Sequence, residues 1–260
     1  QGKVFSVRAN IFEDESFEII LSDITKQEKT KQLKQEMTGN IAHELRTPIT
    51  SIRGYLETVL NTSLDDEKKQ YFIERAFQQT LALSDITQDM TLIAKMEEAP
   101  DKFTLSKVNI VQLLRKIKED TGIQLNEKQI EMNWLLPDNL ELTGSENLLY
   151  SLFKNLTENA IRYAGENIEI NISVYNEDAD FYYFSFYDTG IGIKNESQLN
   201  RIFERFFRVN EGRTRDTGGT GLGLSIVKNA VLFHKGKITA KNRKEGGLEF
   251  LFSIKKDLMN

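Results

Sequence analysis

The sequence predicts an α+β chain: an antiparallel helical hairpin that forms a dimeric four-helix bundle, followed by an α/β sandwich. Three observations carry this. Apolar residues step by three and four over residues 26–60 and again over 66–98. Beyond Pro100 that long periodicity gives way to short, unequal runs of helix and strand character. Those runs do not alternate strictly, which argues for helices on one face of a mixed sheet.

Residues 1–25 come first. Val4, Ser6 and Arg8 interleave with Phe5, Val7 and Ala9, and Phe17 to Leu21 follows the acidic turn Glu13-Asp14-Glu15-Ser16, so this stretch reads as a hairpin. Two strands alone are marginal in water, which makes them the end of a larger domain. Residues 26–100 are the helical hairpin. Its first stripe is Leu33, Met37, Ile41, Leu45, Ile49, Ile52, Leu56 and Val59 or Leu60. Asn61 to Asp66 is a turn, with Ser63 or Asp65 as N-cap of the second helix. Phe72, Ala76, Leu83, Ile86, Met90 and Ile93 form the second seam, and Pro100 stops it. Two helices, each ~50 Å long at 1.5 Å per residue, make a hairpin too thin to bury both stripes. A dimeric bundle solves that problem; a monomeric hairpin packed on the rest of the chain is the alternative.

Residues 101–260 form the sandwich. The patterning predicts helices over 109–125, 145–163 and 221–234, and strands over 129–135, 167–175, 180–187, 236–242 and 247–254. The stretch 204–220 is polar, Gly-rich and aperiodic, and holds Arg205, Arg208, Arg213 and Arg215. A long loop of this kind inside a compact domain is functional or mobile.

Composition narrows the chemistry. The 260 residues carry a formal net charge of -5, which gives no bulk attraction to nucleic acid. The absence of cysteine rules out disulfides, thiol catalysis and cysteine-ligated metals, and two histidines leave little material for a histidine metal site. No apolar run approaches the ~18 residues of a membrane span. The chain begins at Gln1 without Met or a signal peptide, and reads as a piece of something longer.

Four patterns point to chemistry. In His43-Glu44-Leu45-Arg46-Thr47-Pro48, His43 lies about 200° around the helix from Ile41 and Leu45, and so faces solvent. A lone histidine there is ordinarily a bland surface residue, but its neighbours are not bland. Glu44 can hold one ring nitrogen protonated and leave the other nucleophilic. Thr47 lies one turn on, within reach of whatever His43 carries. Pro48 removes an N–H and costs roughly 3 kcal/mol in a helix interior, which predicts a bend.

Asn155 and Asn159 stack at i,i+4 on the helix that continues through Arg162 and Tyr163. Asn is a poor mid-helix residue, so the pair is either a polar site for hydrated Mg²⁺ and phosphate or two surface asparagines. Asp188-Thr189-Gly190-Ile191-Gly192 follows a strand. It offers a carboxylate and a flat backbone floor to a planar ligand, or is simply a turn that needs glycine. Gly218 and Gly219, then Thr220, Gly221, Leu222 and Gly223, lead into a helix. They expose backbone N–H groups and the positive helix end, an anion cradle that is neither a P-loop nor a Rossmann turn.

Together these residues resemble the cytoplasmic part of a sensor histidine kinase of two-component signalling, over roughly residues 23–255. His43-Glu44-Leu45-Arg46-Thr47-Pro48 resembles that family's phosphoacceptor box, and Asn155 to Tyr163 its N box. Asp188-x-Gly190-x-Gly192 and Gly219 to Leu224 resemble its first two glycine boxes, and Phe203 to Val209 its F box. Gly246-Gly247-Leu248-Glu249 is a loose version of the last glycine box, and residues 1–25 are similar to the end of a PAS sensor domain.

The resemblance implies a homodimer carrying His43, followed by a Bergerat-type (GHKL) ATP-binding domain over 101–260. The cofactors would be ATP and Mg²⁺. His43 would accept the γ-phosphoryl group, Glu44 would be the base, and Thr47 would position water to dephosphorylate the partner. Asn159 would hold the metal with Asn155 nearby, and Asp188 would bind the adenine amine above Gly190 and Gly192. The 218–223 glycines with Thr220 and Leu222 would hold phosphates; Arg162, Tyr163 and the lid residues Arg213 and Arg215 complete the set. Arg162 stands where many members have Lys, which keeps the charge as a planar fork. His234 reads as structural. The implied partner is the receiver domain of a response regulator, with no nucleic acid and no direct membrane contact. This fragment would be cytoplasmic and its parent anchored in the bacterial inner membrane. The rival readings are a dimeric ATP-binding scaffold and a GHKL-type ATPase without phosphotransfer.

Overall fold

The computed structural model describes residues 2–14, 16–209 and 219–259, with side chains 29–37 left out. The chain divides into two compact units, Gln1–Thr80 and Leu81–Asn260.

The first unit opens with β1 (Phe5–Ile11) and β2 (Phe17–Asp23), an antiparallel pair in the register Phe5↔Asp23 to Ile11↔Phe17. Phe5, Val7, Phe17, Ile19 and Leu21 are all at least half exposed. Next comes α1 (Thr25–Asn61), which runs through Pro48 as a single helix; Pro48 itself is buried. Asp65 starts α2 (Asp66–Glu98): its Oδ1 accepts the Lys68 N–H at 2.8 Å, satisfying one of the free donors of the first turn. Ser63 takes no part in that bond. Tyr55 of α1 meets Phe72 of α2 with ring centroids 6.1 Å apart. Apolar residues remain bare on both helices, among them Ile49, Leu56, Leu60, Ile73 and Phe77.

The second unit starts within α2, where Ile93 and Met96 enter its core. A short antiparallel pair, β3 (Ser106–Asn109) and β5 (Glu141–Gly144), was not expected from the sequence. Four residues are too few to set up a visible alternation. Asn109 caps α3 (Ile110–Asp120), accepting the Gln112 N–H at 2.9 Å. The single helix expected over 109–125 is two, α3 and α4 (Gly122–Glu127). The buried Thr121 parts them. Its hydroxyl bonds back to the Ile117 carbonyl at 2.7 Å, and Gly122 follows.

The main sheet has five strands in the order β4-β6-β7-β9-β8. They are β4 (Glu131–Leu135), β6 (Glu169–Glu177), β7 (Phe181–Asp188), β8 (Ile238–Asn242) and β9 (Leu248–Lys255). Only β4 and β6 are parallel, so the sheet is mixed, as expected. On β9, Leu248, Phe250, Phe252 and Ile254 point inward in strict alternation. They share one core with α3, α5 (Glu146–Tyr163) and α6 (Gly223–Phe233). At its centre Phe184 stacks on Phe252 at 5.3 Å, and Phe153 of α5 meets both rings edge-on at 5.8 and 5.9 Å.

Candidate functional sites

His43 sits on α1 with its side chain 67% exposed, which follows from its angular distance from the apolar stripe. Its Nδ1 lies 4.0 Å from Glu44 Oε1, in ion-pair range. Thr47 donates its hydroxyl to the His43 carbonyl at 3.3 Å, so its methyl and oxygen are fixed one turn beyond the imidazole. The carbonyl of Glu44, which Pro48 leaves without its i+4 donor, lies in the same turn.

In the second unit, the C-terminal half of α5 is a wall onto which three separate sequence patterns fold. Asn155 donates to the Ser151 carbonyl at 2.8 Å, and its Oδ1 lies where a Cβ on Gly223 would sit. Asn159 is half-buried one turn further along. Arg162 and Tyr163 press on Gly219, where any Cβ would collide with the Tyr163 hydroxyl and stand 3.3 Å from an Arg162 guanidinium nitrogen. Just past the helix, the Ala164 carbonyl accepts the Ile191 N–H at 3.1 Å and excludes a Cβ from Gly190. Glycine at 190 is therefore demanded by the Ala164 carbonyl, independently of any ligand, whereas a Cβ at 219 or 223 would have to push aside the Tyr163 hydroxyl or the Asn155 amide.

Asp188 ends β7 and is nearly buried. Its Oδ1 accepts the N–H groups of Gly190 at 2.9 Å and Leu248 at 3.4 Å. Both bonds fall on one oxygen, which leaves Oδ2 for an outside donor such as an exocyclic amine. Burial pushes the carboxyl pKa up, against these two bonds and the charge of Arg243. Gly192 (φ 62°) carries the loop past Asn242, whose side chain accepts the Ile193 N–H at 2.9 Å and donates to the Ile193 carbonyl at 2.8 Å.

At the start of α6, Thr220 Oγ1 accepts the Leu222 N–H at 3.1 Å. Gly221 (φ 68°) accepts the Phe206 N–H through its carbonyl at 2.8 Å. The Leu222 side chain is fully buried in the core, so only its backbone faces the loop. The helix has no side-chain cap, so the N–H groups of its first turn are left for an anion. These features fit a nucleotide: a buried acceptor for a base, then a glycine run and a helix N-terminus beside Arg162 for phosphates. Amide oxygens such as that of Asn159 suit a hard cation. Arg213, Arg215 and Gly218 lie outside the described residues.

Sequence reasoning did not single out Asn242 or Asp89, and it had Phe206 only as part of the Phe203–Val209 stretch. A strand-end asparagine and a helix aspartate become visible only when the fold brings in their partners. Thr220 donates to Asp89 Oδ2 at 3.1 Å, and burial, opposed by that bond, pushes the Asp89 carboxyl up to about 6.

Two family models match the chain: the His Kinase A (phospho-acceptor) domain over residues 33–99, and the histidine kinase-, DNA gyrase B-, and HSP90-like ATPase over residues 144–258. The chain belongs to the sensor histidine kinases. Its His43, Glu44 and Thr47 lie in the first match, and residues 155–223 of the pocket lie in the second. The phosphate regulon sensor protein PhoR of Pseudomonas aeruginosa is 33% identical over 222 residues, covering 85% of this chain and 49% of that relative. The chain spans about half the length of the curated relatives it matches. Among solved structures, full-length ShkA in complex with AMPPNP has 27% identity and a TM-score of 0.60 over 84% of this chain and 45% of that one. The histidine kinase ThkA in complex with the response regulator protein TrrA has 24% identity and a TM-score of 0.67 over 97% of this chain and 75% of that one.

Proposed function

We propose that the chain is an ATP-dependent protein-histidine kinase. The second unit binds Mg·ATP, His43 receives the γ-phosphoryl group, and the group then passes to an aspartate on a separate response regulator. The observation that carries this is His43 itself: an exposed imidazole beside a carboxylate at 4.0 Å, within a residue range that matches a phospho-acceptor domain. With the proton held on Nδ1 toward Glu44, Nε2 is the nucleophile. It forms a P–N bond as the bond between the γ-phosphorus and the bridging oxygen breaks. ADP leaves, and the Nδ1 proton passes to Glu44. Asn159 holds Mg²⁺, with Asn155 nearby. Asp188 binds the adenine amine, and the 219–223 run with Arg162 and Tyr163 receives the phosphates. Positioning and charge neutralisation supply the rate, rather than covalent work by the nucleotide-binding unit.

The bare apolar faces of α1 and α2 support a homodimer whose four helices form a bundle. The bare faces of the β1–β2 hairpin support its reading as the end of a PAS-like domain. No helix among the described residues is long and apolar enough to cross a membrane. The family resemblance is what carries the placing of this fragment in the cytoplasm and the anchoring of its parent in the bacterial inner membrane.

Incubation with labelled ATP and Mg²⁺ should label the chain on His43. The label should survive alkali, be lost in acid, and be absent from His43→Gln. A label that resists acid and yields to alkali would rule the reading out. A second activity is favoured by the Thr47 hydroxyl, held one turn beyond His43. It would orient water to remove phosphate from the partner, so Thr47→Ala should slow partner dephosphorylation and leave autophosphorylation intact.

A further inference from the structure

The C-terminal part of α2 belongs to the same compact unit as the nucleotide pocket and reaches it through Asp89. Asp89 Oδ2 accepts the Thr220 hydroxyl at 3.1 Å, and that same oxygen of Thr220 accepts the Leu222 N–H at 3.1 Å. A single hydroxyl thus stands between a carboxylate and the phosphate-facing start of α6. Two turns on, Glu97 pairs with Arg205. The Thr220 contact places negative charge beside the start of α6, where an anion is otherwise favoured.

We propose that Asp89 is an internal competitor of the nucleotide: its carboxylate occupies the Thr220 hydroxyl and lowers the affinity of the phosphate loop until a bound nucleotide displaces it. This rests on reading the second unit as the nucleotide-binding one, and extends that reading to the control of loading. The charged groups around Asp89 make the contact easy to break. Asp85 lies one turn back on α2, and Glu158 and Lys154 face it from α5. Burial, with Asp85 and Glu158, works against the charged form; the Thr220 bond and Lys154 work for it. At neutral pH the carboxylate is therefore held in poor surroundings by one hydroxyl, and an incoming phosphate offers Thr220 an alternative acceptor.

Calorimetric titration of the full chain with Mg·AMPPNP tests this. Asp89→Ala and Asp89→Leu, neither of which can accept the Thr220 hydroxyl, should each bind roughly 5-fold or more tightly than the parent, the lower end of ordinary coupling between sites. Circular dichroism melting checks that each variant is folded. Equal or weaker binding by either folded variant overturns the proposal. Because the chain has no cysteine, the contact can also be trapped. The double variant Asp89→Cys, Thr220→Cys should cross-link on mild oxidation, more slowly when Mg·AMPPNP is present, and recover nucleotide binding on reduction. Cross-linking at an unchanged rate with nucleotide overturns displacement. The readout is binding alone. A parent chain that binds nucleotide but never labels His43 contradicts only the kinase reading, whereas one that binds no nucleotide overturns both.

Discussion

His234 Nε2 accepts the Ser145 backbone N–H at 3.2 Å while its Nδ1 donates to the Ala230 carbonyl at 2.7 Å. The ring is fully buried and ties the C-terminus of α6 to the start of α5, and Gly144 leaves room for it. The Ser145 bond needs a bare Nε2 and therefore the neutral imidazole. Burial, opposed by the Ala230 bond, lowers its pKa from 6.5 to about 4. A depressed histidine favours folding when neutral, so its contribution is complete above about pH 6.5 and is lost as pH falls toward 4. The loss is on the order of 3 kcal/mol. Urea denaturation between pH 7 and pH 4.5 should show it. The slope across that window should flatten in His234→Gln, and an equal slope in the variant would contradict the assignment.

Gly247 (φ 92°) places its N–Cα–C against the Asp188 carbonyl, where a Cβ would collide. Gly247→Ala should lose on the order of 1–3 kcal/mol of stability, from backbone strain and the clash together. It should also weaken nucleotide binding by shifting Asp188. Gly122→Ala, with open space around it and an ordinary φ, should stay within about 0.5 kcal/mol of the parent. Thermal melts of the two variants side by side decide the matter.

Asp188→Asn keeps an acceptor for the Gly190 N–H but can present an amine where Oδ2 stands. If Asp188 receives the adenine amine, the variant should bind AMPPNP about 10- to 100-fold more weakly, the worth of a charged hydrogen bond. Discrimination against a guanine nucleotide should shrink at the same time. Unaltered discrimination in equilibrium titrations would place the base elsewhere.

Asp65 caps α2 through the Lys68 N–H, and its carboxyl pKa is lowered, first of all by that bond. Asp65→Ala should lower the denaturation midpoint measurably, and Asp65→Asn far less, because its oxygen still accepts. Chemical denaturation of the pair would expose the error if both variants matched the parent.

The long helices were legible because each repeats one apolar stripe over many turns, and α2 ends at Glu98, just before Pro100. The sandwich strands were legible to within a residue or two wherever apolar alternation persisted, as on β9. The β3–β5 pair was not, being too short to show a period, and Thr121 gave no local sign that it would end a helix. The glycine boxes could be found by spacing alone. What each glycine is pressed against, the Ala164 carbonyl for Gly190 and Asn155 for Gly223, is long-range information. The same holds for Asn242 and Asp89, single polar residues whose partners lie far along the chain.

The position of β9 has a consequence for how the molecule comes into being. Among the described residues β8 has β9 as its only partner, and β7 needs β9 on its open edge. Leu248, the first residue of β9, also supplies the second N–H to Asp188. During synthesis, then, the Asp188 carboxylate emerges some sixty residues before the strand that completes its surroundings. The Asp188 site is completed only once β9 has been made, and a nascent chain halted before Leu248 would expose two unpaired edges and an unfinished pocket.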